Sequence, residues 1–147
     1  MGDSSDMWTG EGEKDDIILP LEPGENAAHP VDDKRYFEHW YFDARLDDGH
    51  TVVGFLQTSE LVRRKPGVEL HVYRPDGEKL SVVRSYPKSE VRASAEECDV
   101  TIGDNRCSSR LAGGGLPVHR VHLAESDMEF DLTFENVLPG WKPGLCP

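Results

Sequence analysis

Four turn sequences spaced along the chain constrain its fold more than any other feature. Each lies between two short runs that are rich in β-branched and aromatic residues. Asp, Asn and Gly tolerate the positive φ angles that tight hairpin loops require, so each turn predicts a β-hairpin. The four turns are Asp47-Asp48-Gly49, Pro75-Asp76-Gly77, Gly103-Asp104-Asn105 and Glu125-Ser126-Asp127.

The runs beside these turns have the periodicity of strands and not of helices. In the last run, MEFDLTFEN, Met128 and the apolar residues at every second position after it share one face. No segment has apolar residues at i, i+3, i+4 and i+7 over a dozen residues, so the chain is predicted to be nearly all β. The eight predicted strands are 36–46, 50–59, 67–74, 78–86, 97–102, 106–112, 118–124 and 128–137.

Eight antiparallel strands joined by short turns must either close into a barrel or stack as two sheets, because an open meander leaves two bare edges. We expect an up-and-down, eight-stranded, lipocalin-like barrel over residues 36–147, and a two-sheet sandwich is the alternative. Residues 1–35 are predicted to be a disordered acidic arm and a lead-in loop, because residues 1–16 are polar and lack periodicity.

Composition excludes several classes of partner. The net charge of −12 disfavours nucleic acid, because binding of phosphates requires a basic surface. No run approaches the roughly 20 apolar residues of a membrane span, and the first 20 residues lack the pattern of a signal peptide. A cytoplasmic location is therefore predicted, in which Cys98, Cys107 and Cys146 are reduced. Cys98 and Cys107 are placed so that they could face each other across a hairpin.

The ring-rich segment YFEHWYFDARL is the strongest candidate for a functional site. Strand alternation places Trp40 and Phe42 on a core face, and His39, Tyr41 and Asp43 on the opposite face. A carboxylic acid in an apolar setting can protonate an alkene or a carbonyl, and a nearby histidine can orient it. The plainer interpretation is structural, with the rings as filling and Asp43 paired to Arg45 or across the strands.

Three stretches of the sequence resemble a known family. FEHWYFDARLDDGHTVVGFLQ, ELHVYRPDG and DLTFENVLPGWKPG are similar to the first half of the hydroxyneurosporene synthase (carotenoid 1,2-hydratase) family. The same superfamily includes AttH-like lipocalin proteins and the lipocalin-like Diels–Alderases. The resemblance implies lipocalin-like barrels in pairs, which handle lipophilic isoprenoids or polyketides by cofactor-free hydration, isomerisation or cyclisation.

Two functional hypotheses follow from the segment and the resemblance. The first is a cofactor-free hydratase, isomerase or cyclase, in which Asp43 is the acid and His39 and Tyr41 assist it. The second is a non-catalytic barrel that binds a lipophilic ligand, or packs on a second barrel domain or another copy. Both expect a ligand near Trp40, Phe42, Phe55 and Trp141, although Trp141 has a plainer interpretation as a cap on the barrel. No metal is expected, because His119 and His122 point to opposite faces of one strand.

Overall fold

The computed structural model describes residues 18–31, 36–58, 65–113 and 115–143. The predicted arm at residues 1–16 lies outside these ranges. The described residues form eleven antiparallel strands and two short 3-10 turns, at Pro23–Asn26 and Lys88–Glu90, and none of their helices is long and apolar enough to cross a membrane. The strands are β1 (Ile18–Pro20), β2 (His39–Arg45), β3 (Thr51–Gln57), β4 (Gly67–Tyr73), β5 (Lys79–Ser85), β6 (Val91–Ala93), β7 (Asp99–Ile102), β8 (Asn105–Leu111), β9 (Pro117–Glu125), β10 (Met128–Glu135) and β11 (Trp141–Pro143).

All four predicted hairpins are confirmed. They are β2–β3, β4–β5, β7–β8 and β9–β10, and every pair is antiparallel and in continuous register. The first two loops contain Gly49 and Gly77, whose φ angles are 89° and 90°. The hydrogen bond from the Gly49 N–H to the Leu46 carbonyl, at 3.0 Å, closes the first turn. Glycine is required at such a position because a Cβ atom strains this backbone conformation.

The all-β, antiparallel prediction is confirmed, but the described strands do not close into one barrel. Strands β2 to β5 form one four-stranded sheet and β6 to β10 form a five-stranded sheet, each in chain order, while β1 pairs only with β11. No ladder joins β5 to β6 or β10 to β2 among the described strands. At the first seam, Pro87 and the 3-10 turn after it interrupt strand pairing between the sheets.

At the second seam, between β2 and β10, the lead-in segment lies against the sheets. The Trp40 indole N–H donates a hydrogen bond of 2.9 Å to the carbonyl of Asn26. Ala27 is buried, and the Ala28 N–H donates to the carbonyl of Ser94. Residues 21–30 therefore belong to the folded unit, together with the β1–β11 pair at its end.

The two sheets share one apolar core. The first sheet contributes Leu56, Val68 and Leu70, and the second contributes residues from β7, β8 and β9. The sheets approach closely at Gly54, where an added Cβ would lie 2.5 Å from Cδ1 of Leu123. The core is thus filled with side chains, as is usual in protein interiors. Its buried members from the second sheet and the loop before β7 are Cys98, Val100, Ile102, Cys107, Val121 and Leu123.

Candidate functional site

The predicted alternation of strand β2 is confirmed, and it determines where the candidate site lies. Trp40 and Phe42 point inward and pack on the core, whereas His39, Tyr41 and Asp43 are exposed on the outer surface of the first sheet. Directly paired residues of antiparallel strands point to the same side of the sheet. Because Tyr41 pairs with Phe55, the Phe55 ring also lies on the outer surface.

Five rings form a continuous cluster there, which we call the aromatic face. Phe55 is at its centre, with ring centroids 5.0 Å from Tyr41, 5.9 Å from His39 and 6.4 Å from His71. Phe37 stacks on His39 at 5.7 Å. These separations are within the range of favourable aromatic contacts. Since Phe37 is 53% exposed and Tyr41 is 52% exposed, the face presents a large part of its ring surface to solvent.

The aromatic face borders a surface cavity of about 600 Å³. Phe37, His39, Phe55 and Val83 provide apolar and ring surface, and Val83 is 67% exposed. Polar residues stand around these, and two of them are cations. The polar residues are Gln57, Lys65, Glu69, Arg84 and Ser85. The volume is in the range of binding sites for small molecules, and the walls combine apolar rings with polar groups that could fix the orientation of a ligand.

The three predicted catalytic residues lie on one face of the sheet, but their side chains do not form a single connected group. Partial desolvation, aided by the negative charge of nearby Asp43, raises the pKa of Tyr41. Tyr41 is therefore a neutral hydrogen-bond donor at neutral pH. His39 instead contacts Phe37 and Phe55 through its ring. Asp43 is exposed on this surface, whereas a carboxylic acid that donates protons is usually held in an apolar setting.

The four residues expected to contact a ligand are divided between three places. Trp40 and Phe42 face the core, where the Phe42 ring stacks on that of Phe134 at 6.3 Å. Phe55 lies in the aromatic face. Trp141 is on β11 and is 62% exposed. Of the four, only Phe55 lies on the outer face with His39, Tyr41 and Asp43, because strand alternation separates neighbours in sequence. Trp40 and Phe42 nevertheless line a second cavity, of about 440 Å³, to which these three residues also contribute along strand β2.

Comparison with protein-family models, curated proteins and solved structures finds no significant match. The resemblance to the hydroxyneurosporene synthase family therefore stays a prediction that rests on the three quoted stretches of sequence.

A second polar cluster, which sequence patterns do not reveal, lies at the seam between β5 and β6. The carboxylate of Glu125 is buried and accepts hydrogen bonds from the Tyr86 hydroxyl and, at 2.8 Å, from the Asn105 amide. Its second oxygen is 3.5 Å from the guanidinium of Arg84. Asn105 is fully buried and also accepts a 2.8 Å hydrogen bond from the N–H of Ala124. A buried carboxylate is stable only with such partners, so the cluster joins the two sheets at this seam.

One signal in the sequence does place Glu125 inside the protein. The turn prediction includes Glu125, but β9 continues through this residue before the turn at Ser126 and Asp127. Val121 and Leu123 face the core, so alternation makes position 125 the next inward position.

Tyr86 makes the stability of the fold sensitive to alkaline pH. Desolvation, with the hydrogen bond to Glu125 and its charge, raises the pKa of Tyr86 from 10.0 to about 12. The folded state therefore holds this proton more tightly than the unfolded state does. The resulting stabilisation is complete below pH 10, decreases between about pH 10 and 12, and is lost above that range.

We expect Tyr86→Phe to reduce the dependence of the free energy of unfolding on pH in this window, although its stability at neutral pH is lower because Glu125 loses a donor. Urea unfolding followed by tryptophan fluorescence at several pH values measures both effects. Tyr73→Phe, at an exposed tyrosine of the first sheet, is the matched control and should keep the parental slope. An unchanged slope in Tyr86→Phe would contradict the assignment.

Among the described residues, one group has the ligand atoms that a metal would need. His122, Glu129 and Asp131 on the outer surface of the second sheet have ligand atoms within 4.8 Å of one another. His122 is 2.9 Å from Asp131, and both acidic residues are exposed. Arg106 is the cross-strand neighbour of His122, so a cation stands beside the group. The arrangement is that of an exposed ion pair between neighbouring strands.

Proposed function

We propose that the chain is a non-catalytic β-domain whose aromatic face binds a lipophilic small molecule that contains a planar or unsaturated segment. The observation that carries the proposal is the ring cluster around Phe55 beside the 600 Å³ cavity. Exposed clusters of apolar residues on a protein surface commonly mark binding sites, and flat rings stack well on conjugated ligands. The ligand would lie across Phe37, His39 and Phe55.

The polar residues around the cavity support a ligand with a polar end. Lys65 is placed to contact an oxygen-bearing group of the ligand, while the rings cover its apolar body. The centre of the core is filled, since Leu56, Val68 and Leu70 have no exposed surface, so the proposed ligand lies on the outer face and not at the centre. The chain order of the two sheets is also that of an up-and-down barrel, which supports a relationship with lipocalin-like proteins as part of the same proposal.

Titration with the neutral fluorescent probe 1-aminoanthracene tests the site. Phe55→Ala removes the central ring and should weaken probe binding by about tenfold, since burial of such a ring contributes roughly 1.5 kcal/mol or more. Leu138→Ala changes an apolar residue that is 73% exposed and should bind like the parent. Trp141→Ala tests the expected contribution of that ring. Equal binding by Phe55→Ala and the parent would overturn the proposal.

The two alternatives, packing of the face on a partner chain and enzymatic activity, predict different results for the same proteins. Native mass spectrometry separates a ligand complex from a complex of two protein chains, which would indicate that the face packs on a partner. The enzymatic hypothesis has Asp43 as the acid, assisted by His39 and Tyr41, and predicts that Asp43→Asn abolishes turnover of an isoprenoid or polyketide. If the parent converts such a substrate and Asp43→Asn does not, the non-catalytic proposal is wrong.

A further inference from the structure

Cys98 and Cys107 form a close pair of thiols inside the second sheet. Cys98 immediately precedes β7 and Cys107 lies on β8, and both side chains are buried in the core. Their sulfur atoms are 3.5 Å apart and are not bonded to each other. Val100 is the direct cross-strand partner of Cys107, so the two cysteines are diagonal neighbours on the inner side of the β7–β8 hairpin.

The surroundings give the two sulfurs different acidities. The hydrogen bond from Cys107, with further hydrogen bonds from Ser109, lowers the pKa of the Cys98 thiol despite its burial. The same contact and burial raise the pKa of Cys107. A thiolate is a far stronger nucleophile than a thiol, so the more acidic Cys98 is the member of the pair favoured to attack an electrophile. Cys107 keeps its proton, and its sulfur lies next to that of Cys98.

Cys98 borders two surface cavities from which a small oxidant would approach its sulfur, although only 3% of the residue is exposed. Cys98 contributes to the walls of both, which have volumes of about 440 and 300 Å³. The two cavities also share Asn26, His119 and Asn136, so they are neighbours around the lead-in segment. Cys107 is not among the residues that line either cavity. Access and acidity therefore favour the same sulfur.

The backbone is hydrogen-bonded at both cysteines, and the Cys98 carbonyl accepts a 2.8 Å hydrogen bond from the N–H of Ser109 on β8. Residues 94–98 connect β6 to β7 in a tight turn, in which the hydroxyl of Ser94 accepts hydrogen bonds from the N–H groups of Glu96 and Glu97. Cys107 is fixed within the ladder of β8 with β7 and β9. A disulfide requires the sulfurs to approach from 3.5 Å to about 2 Å, and because the backbone is held at both positions this movement comes from the side chains.

We infer that Cys98 and Cys107 are a peroxide-reactive dithiol that oxidises to an intramolecular disulfide. The Cys98 thiolate attacks one oxygen of hydrogen peroxide, the O–O bond breaks, and the released hydroxide takes up a proton to form water. Cys98 is then a sulfenic acid. Oxidation removes the Cys98 thiolate whose contact held the proton on Cys107. Cys107 therefore passes this proton to the sulfenic hydroxyl as its sulfur attacks Cys98, the S–S bond forms, and the hydroxyl leaves as a second water. Two thiols lose two electrons in total, and one peroxide is reduced to two waters.

Counting thiols by mass tests this inference independently of ligand binding. In a Cys146→Ser background, which removes the third cysteine, the protein is treated with hydrogen peroxide, unfolded in guanidinium and alkylated with N-ethylmaleimide. Intact mass spectrometry should find two alkylated thiols before peroxide, none after it, and two again after dithiothreitol. A monomer on a non-reducing gel establishes that the disulfide is within one chain.

Single substitutions distinguish the two sulfurs. In Cys107→Ser, peroxide should leave a sulfenic acid on Cys98 that dimedone traps. In Cys98→Ser, Cys107 should keep its alkylatable thiol at the same peroxide dose, and circular dichroism establishes that each variant is folded. The inference is overturned if both thiols of the background protein survive peroxide, if the product is a linked dimer, or if Cys107 oxidises equally fast without Cys98.

Discussion

Asn105→Ala is expected to lower the free energy of unfolding by about 3 kcal/mol, which is a large fraction of the roughly 5–15 kcal/mol that holds a typical domain together. The amide of Asn105 donates to the buried Glu125 carboxylate and to the Ile102 carbonyl, and its oxygen accepts from the N–H of Ala124. Removing it leaves these groups buried and short of partners. Urea denaturation followed by tryptophan fluorescence measures the loss.

Two further variants identify the cause of this loss. Asp104→Ala changes the exposed neighbouring residue of the same turn and should stay within about 0.5 kcal/mol of the parent. Glu125→Gln keeps an acceptor for Tyr86 but removes the charge. If Asn105 acts through the carboxylate, the double variant Asn105→Ala/Glu125→Gln loses less than the sum of the single losses. A loss below about 1 kcal/mol in Asn105→Ala would show that the cluster does not hold the seam together.

Gly67→Ala is expected to destabilise the fold by about 2–3 kcal/mol through overpacking. A Cβ at position 67 would lie 2.4 Å from the carbonyl oxygen of Arg84 in the neighbouring strand. That oxygen belongs to the backbone and cannot rotate away, so β4 and β5 must move apart. The hydrogen bond from the Tyr86 N–H to the Pro66 carbonyl, at 2.9 Å, adjoins this point and would be stretched.

The matched control for this substitution is Gly113→Ala. No atom lies within 4 Å of an added Cβ at Gly113, and its φ angle is not positive, so stability should change by less than about 0.5 kcal/mol. Amide hydrogen exchange of β4 and β5 provides a local measurement, because protection in this ladder should decrease only in Gly67→Ala. If the two variants were equally stable, strands β4 and β5 would accommodate the added methyl group without loss of stability, and the overpacking prediction would be wrong.

The local part of the fold follows from the sequence because turns and alternation are local signals. Asp47-Asp48-Gly49 fixes the first hairpin, and symmetry about Asp48 places Phe55 opposite Tyr41. The positions of the rings from Phe37 to Phe55 therefore depend only on signals within about twenty residues of one another, whereas His71 joins the face through the pairing of β3 with β4. Strand β6 escapes prediction because its three residues, Val91–Ala93, are too few to show a period. The strands β1 and β11 are equally short.

The separation into two sheets and the Glu125 cluster depend on contacts that sequence patterns do not encode. Tyr86 and Glu125 are 39 positions apart, and Asn105 lies 20 positions before Glu125. These three side chains can contact one another only after both sheets have formed. The prediction of one barrel treats all neighbouring strands as paired, whereas Pro87 and the 3-10 turn of Lys88–Glu90 interrupt the ladder at one point.

The pairing of β1 with β11 has a consequence for the order of folding. Every strand from β2 to β5 and from β6 to β10 pairs with its neighbour in the chain, so these hairpins form from contacts that are close in sequence. Ile18 and Pro143, in contrast, are register partners at opposite ends of the described chain. Closing so long a loop is entropically unfavourable until both sheets exist. We therefore expect this short pair to form last in folding and to open first in native-state fluctuations.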